Sequence, residues 1–218
     1  MLKGRLANAT YGGTVDANFR GRDINTTDGY LRVGNFSMKQ GDEVYSLDSL
    51  NFRAGHNERG HYLLMRSSFG VAAVYGKFDY AALPQAIENV IVKKLPGITN
   101  LAPFRYRPIH AGEVSFAARL TDSKWARPFL NMPLDFLDTV SLRATFGRDG
   151  ASLDADLTAP DLVYGDRHLK NIRTTVRTID GILSIDAALR NMRTETLGTD
   201  LGLKATAGND RITASLSL

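Results

Sequence analysis

The sequence predicts a mostly β chain: a long antiparallel sheet with one amphipathic helix near its middle. Three observations carry that expectation. Apolar and polar residues alternate at period two through most of the 218 residues. The 23 acids are 18 Asp and 5 Glu and the 27 bases are 19 Arg and 8 Lys, with 20 Gly and 12 Asn, so helix-favouring Glu and Lys are depleted and turn-favouring residues abound. A single stretch, 82–95, carries apolar residues at helical spacing instead.

The C-terminal third is the clearest. Val140, Leu142, Ala144 and Phe146 share one face, as do Ala151, Leu153, Ala155 and Leu157 after the turn signal Asp149-Gly150. The pattern continues through Ile172, Thr174 and Val176 after Gly165-Asp166, and through Leu183, Ile185, Ala187 and Leu189 after Asp180-Gly181. Leu201, Leu203, Ala205 and Ala207 follow a looser loop, and Ile212, Ala214, Leu216 and Leu218 follow Gly208-Asn-Asp210. Turns spaced by roughly 15 residues predict strands longer than those of immunoglobulin-like sandwiches. The alternate positions carry Ser141, Arg143, Thr145, Asp154, Asp156, Arg173, Arg177, Thr213, Ser215 and Ser217, so one face is apolar and the other solvated.

The N-terminal part reads the same way with less regularity. Strands are expected through Leu2–Leu6, Val15–Phe19 and Leu31–Val33, with Gly12-Gly13 and Asp28-Gly29 as the turns between them. At Gly34 the parity shifts so that Phe36 and Met38 take the apolar positions, the signature of a bulge. Further strands run through 45–52, 62–65 and 71–78, with 54–60 as a loop.

In the helix, Leu83, Ile87, Val90, Ile91 and Leu95 form the apolar stripe, with Gln85, Glu88, Asn89, Lys93 and Lys94 on the other side. Pro84 suits a first turn, and Pro96-Gly97 ends the helix after its lysines. A short second helix is expected over about 123–130, with Asp122 as its cap and Trp125 and Phe129 facing inward. The organisation is then a β segment over 1–80, a helix and connector over 81–108, and a β-meander over 109–218.

No apolar run reaches the roughly 18 to 20 residues of a membrane-spanning helix, and no signal-peptide pattern stands at the start. Cysteine is absent, which excludes disulfides and thiolate chemistry. None of the common nucleotide, hydrolase or metal motifs appears. His56 and His61, five apart around a turn, lack an acidic cluster that would make them metal ligands. His110 and His168 stand alone, and Asp154 and Asp156 read as an outer polar face rather than an acid–base pair. Phe104-Arg-Tyr-Arg-Pro108 reads as a structured connection. The formal charge of +4 comes from arginines scattered at alternate positions, which read as general solvation of strand faces. The chain is therefore expected to be neither an enzyme nor a cofactor protein, with no nucleic-acid partner.

The order of features carries one resemblance. A β stretch, then Gly76-Lys-Phe-Asp-Tyr80, a helix ending in Leu95-Pro96-Gly97, a further β segment, Trp125-Ala-Arg-Pro-Phe-Leu130, and then Leu162-Val-Tyr-Gly-Asp166, Leu169-Lys-Asn-Ile172 and Gly181-Ile-Leu-Ser-Ile185 resembles the TamB family. These are large AsmA-like periplasmic proteins of the bacterial translocation and assembly module. The resemblance covers most of the chain and implies an internal segment of a longer protein, anchored to the inner membrane through a region elsewhere. It implies a curved β-taco or repeating β-groove with an apolar interior. It also implies conduction of phospholipid between the membranes and support of outer-membrane protein assembly with a barrel of TamA or BamA type. The groove would be lined by Val140, Leu142, Phe146, Leu153, Leu183, Ile185, Leu189, Leu201, Leu203, Ile212 and Leu216, in contact with acyl chains. The competing expectation is a closed β-sandwich, a non-catalytic binding or scaffold module that holds a protein partner by strand-edge pairing, with the same residues forming a sealed core.

Overall fold

The computed structural model describes residues 9–22, 24–58, 60–79, 83–95, 106–107, 112–124 and 133–218. The period-two segments form thirteen antiparallel strands of one sheet. They are β1 (Thr10–Arg20), β2 (Asp28–Gln40), β3 (Glu43–Asn57), β4 (Gly60–Ser67), β5 (Gly70–Gly76), β6 (Val114–Leu120), β7 (Leu134–Phe136), β8 (Val140–Phe146), β9 (Leu153–Tyr164), β10 (Arg167–Ile179), β11 (Ile182–Met192), β12 (Gly198–Gly208) and β13 (Arg211–Ser217). Each pairs with its neighbour in sequence, except that β6 pairs with β8 while the short β7 pairs farther along β9. The 1–80 and 109–218 stretches join through the β5–β6 ladder, Gly70↔Leu120 to Gly76↔Val114. Twelve strands side by side at about 4.8 Å span roughly 50 Å.

Because the sheet is a meander, its connections sort to two ends. The helix α1 (Leu83–Lys94) lies at one of them, with the turns at 57–60, 147–152, 180–181 and 209–210. At this end α1 contacts β12 and the 3-10 turn Arg148–Gly150. Val90 and Val92 are buried, as are Phe78, Val114 and Ala207 of the same end. The expected solvated side of the helix is not fully solvated. Asn89 is 0% exposed, because its amide accepts from the Arg107 N–H (3.1 Å) and donates to the Arg107 carbonyl (2.8 Å), pinning the connector to the helix. Lys94 is buried too: its stem packs inward and its ammonium donates to the Gly181 carbonyl at 2.6 Å, while its own carbonyl accepts from Asp210 N–H at 3.3 Å.

The C-terminal turns fall where the Asp-Gly and Asn-Asp signals place them. Asp180 and Gly181 both take positive φ (50° and 78°), as do Asn209 and Asp210 (52° and 56°), matching the right-handed twist of the flanking strands. The 149–150 signal makes a wider turn, closed by Gly147 N–H to Ser152 O at 3.0 Å.

Three N-terminal expectations need correction. Gly12 and Gly13 lie within β1, where the β1–β2 register shifts by one residue opposite Asn35 (φ 48°). This is the bulge that moves Phe36 and Met38 to the protected side, and Met38 is 0% exposed. Asp28-Gly29 begins β2 rather than preceding it; Gly29 pairs with Phe19, whose ring occupies the space a Cβ would need. Residues 54–57 belong to β3 rather than to a loop, and β3 pairs with β4 through Asn57↔Gly60. The expected strand over 2–6 and the core of the expected 123–130 helix lie outside the described residues. Asp122 accepts the Lys124 N–H at 2.8 Å.

The chain exposes 14396 Å². A compact monomer of 23.9 kDa exposes about 9,900 Å² by the usual surface scaling. The excess is that of a sheet with open faces and edges. All thirteen strands belong to this one sheet, and the pairing among the described residues defines no separate second sheet.

Candidate apolar binding surface and the opposite face

Directly paired residues of antiparallel strands share a face, so the register converts period-two alternation into rows across the sheet. One row runs Ala17, Leu31, Phe52, Met65, Ala72, Ala118, Leu142, Leu157, Thr174, Ala187, Leu203, Leu216 from β1 to β13. The adjacent row runs from Phe19 through Leu63, Val74, Phe116, Ala144, Ala155, Val176 and Ile185 to Ala205 and Ala214. The surface is continuous over every strand, with Thr174 a polar interruption.

All eleven residues expected to line a groove fall on this one face. Leu142 pairs with Leu157, Phe146 with Leu153, Leu183 with Ala207, Ile185 with Ala205, and Leu189 with Leu201. Leu203 pairs with Leu216 and Ala207 with Ile212, and Val140 pairs with Leu120 of β6. The interior strands hold these side chains half-buried among their neighbours, whereas Ile212 and Leu216 on the edge strand are 63% and 72% exposed. A bulge at Asn171 (φ 54°), between the pairs Lys170↔Arg190 and Arg173↔Ala188, keeps Ile172 on the same face.

The helix stands at one end of this face. At the other end the β2–β3 hairpin and β6–β7 region border a cavity of about 720 Å³, lined by the apolar Phe36, Val44, Tyr45, Leu47, Leu50 and Phe69 and by the polar Ser46, Ser68, Asp122, Lys124 and Asp135.

The opposite face is polar but not evenly so. A concavity of about 1040 Å³ lies on it between β2 and β9, and its lining includes Arg32, Arg53, Arg66, Arg119 and Arg143. Sequence reasoning took these arginines as scattered. They stand on five different strands, and only the register assembles them.

The other candidate groups have structural employment. His56 and His61 are cross-strand partners with ring centroids 6.3 Å apart, but His56 Nδ1 meets Asp28 Oδ2 at 3.0 Å and His61 Nε2 meets the Asn25 carbonyl at 2.8 Å. Among the described residues no cluster of three potential ligands forms a metal site. Asp156 accepts two hydrogen bonds from Arg177 Nη2 (2.7 and 2.9 Å), and Asp154 accepts the Thr178 N–H at 2.9 Å. His168 is not isolated as expected: its Nε2 lies 2.6 Å from Asp161, which Lys170 also approaches at 3.5 Å. His110 lies outside the described residues. Among the described residues no helix is long and apolar enough to cross a membrane. No family model, curated protein or solved structure matches the chain.

Proposed function

We propose that the chain is a segment of a TamB-like periplasmic protein that carries phospholipid between inner and outer membranes, its apolar face receiving acyl chains. The observation that carries this reading is the pair of apolar rows that crosses the sheet from β1 to β13, interrupted in the first row by Thr174. Burying an acyl methylene is worth about 0.8 kcal/mol, so a lipid that leaves a bilayer faces a cost on the order of 10 kcal/mol, which contact with these residues offsets. Such contacts are non-directional, so a chain slides from row to row without breaking hydrogen bonds. In the full-length protein the segment acts in an inner-membrane-anchored bridge, with an outer-membrane barrel of TamA or BamA type as partner.

The test is photo-crosslinking from adjacent positions. A crosslinker at Ile185, on the apolar face, is expected to capture phospholipid, and one at Asp186, on the other face, is not. Equal capture from both positions overturns the assignment.

A second reading rests on the sheet's two open edges. β1 and β13 are exposed along their whole length, and each offers unpaired backbone donors and acceptors. Strand addition there, by neighbouring parts of the same protein or by a protein partner, accounts for the edges without any lipid. Protection of the β1 and β13 amides from hydrogen exchange on adding the partner, with the apolar face unchanged, would favour it.

A further inference from the structure

The concavity on the polar face is rich in unpaired cations. Its lining holds five arginines against one carboxylate, Asp156, and that carboxylate is engaged by Arg177. Arg32 has Asp16 at 3.6 Å and lies 4.4 Å over the Tyr30 ring. Arg53, Arg66, Arg119 and Arg143 make no ion pair or side-chain hydrogen bond among the described residues.

Their placement is regular. No two are direct cross-strand partners: Arg53 stands opposite Tyr30 and Leu64, Arg66 opposite Asn51 and Val71, Arg119 opposite Val71 and Ser141, and Arg143 opposite Ala117 and Asp156. The four lie on β3, β4, β6 and β8, a span of about 19 Å at the usual strand spacing. Small or neutral neighbours such as Ala73, Ala117 and Ser141 leave the floor between them open.

From this we infer a second binding site, for a soluble ligand carrying several phosphate groups, a compact oligophosphate. A guanidinium presents a planar fork that grips phosphate oxygens two at a time. One phosphate satisfies one or two such forks, so four unpaired ones spread over the floor call for a multiply charged anion. The site is concave, which a flat bilayer surface does not fill. Its volume lies at the upper end of the range for small-molecule sites. Its arginines stand on the opposite side of the sheet from the apolar rows, of which Phe52, Met65, Ala72, Ala118 and Leu142 also border it, and the inference does not depend on the lipid reading.

The test uses the 218-residue chain and isothermal titration with sodium tripolyphosphate. Binding is expected, weakening with added salt, and weakening by about tenfold or more in Arg66→Gln/Arg119→Gln. Lys204→Gln, on the same face but outside the concavity and paired with Asp186 at 3.8 Å, is expected to bind like the parent. The double variant is also expected to melt no lower than the parent, because it relieves repulsion among unpaired like charges. That result shows that a loss of binding is not a loss of folding. Single-stranded DNA and vesicles containing 30% anionic lipid form the other arms. No tripolyphosphate binding, an equal loss in Lys204→Gln, or tighter binding to DNA or vesicles than to tripolyphosphate overturns the proposal.

Discussion

Replacing Ile185 by Asp separates an open apolar face from a sealed core through stability alone. Ile185 sits between Val176 and Ala205 on neighbouring strands and is half-buried. Full burial of an isoleucine side chain contributes about 1.5–3 kcal/mol, so partial burial here contributes about 1–2. Exchanging a strongly β-favouring residue for a disfavoured one adds about 1 kcal/mol. On an open face the new carboxylate reaches water, and the total loss is about 2–3 kcal/mol. In a sealed core an uncompensated charge adds a further ~3–5 kcal/mol, enough to unfold a chain whose total stability is of the usual 5–15 kcal/mol. Urea titration followed by circular dichroism measures the difference. A cooperative transition with the midpoint lowered by the equivalent of about 2–3 kcal/mol is expected. A variant with no folded baseline, or a loss well above 5 kcal/mol, would refute the open face.

Lys94→Met keeps the buried stem but removes the ammonium that holds the Gly181 carbonyl. A loss of about 1–2 kcal/mol is expected, together with faster amide exchange in α1; unchanged exchange would mean that the contact does not dock the helix. Gly181→Ala forces a Cβ into φ 78° at a turn where nothing lies within 4 Å of it. The cost is then backbone strain alone, about 1–2 kcal/mol by urea titration, and a neutral result would contradict the turn geometry. Asp156→Asn removes an exposed pair and is expected to cost no more than about 1 kcal/mol. Arg177 also donates to the Ala155 and Val176 carbonyls, so a larger loss would mean that the carboxylate, not these carbonyls, holds it.

The C-terminal meander was legible because its turn chemistry is local. Asp180-Gly181 and Asn209-Asp210 supply positive φ where a tight hairpin needs it, and the strands between them alternate without interruption. The N-terminal glycines misled for a physical reason. A glycine inside a strand serves a bulge or a close approach as readily as a turn, and Gly29 makes room for the Phe19 ring rather than reversing the chain. The buried Asn89 and Lys94 were invisible in periodicity because their partners lie 18 and 87 residues away. The apolar surface was legible residue by residue, since one-sided alternation marks it on each strand. The arginine concavity was not: each arginine alone is an ordinary solvated residue. Only the pairing of β2, β3, β4, β5, β6 and β8 brings the group together.

That the open apolar face binds acyl chains is tested most directly by native mass spectrometry of the purified chain after incubation with phospholipid. Discrete adducts of phospholipid mass are expected on the parent chain and are expected to be lost in Ile185→Asp. A parent spectrum without adducts at any lipid concentration, or adducts that persist undiminished in the variant, would contradict it.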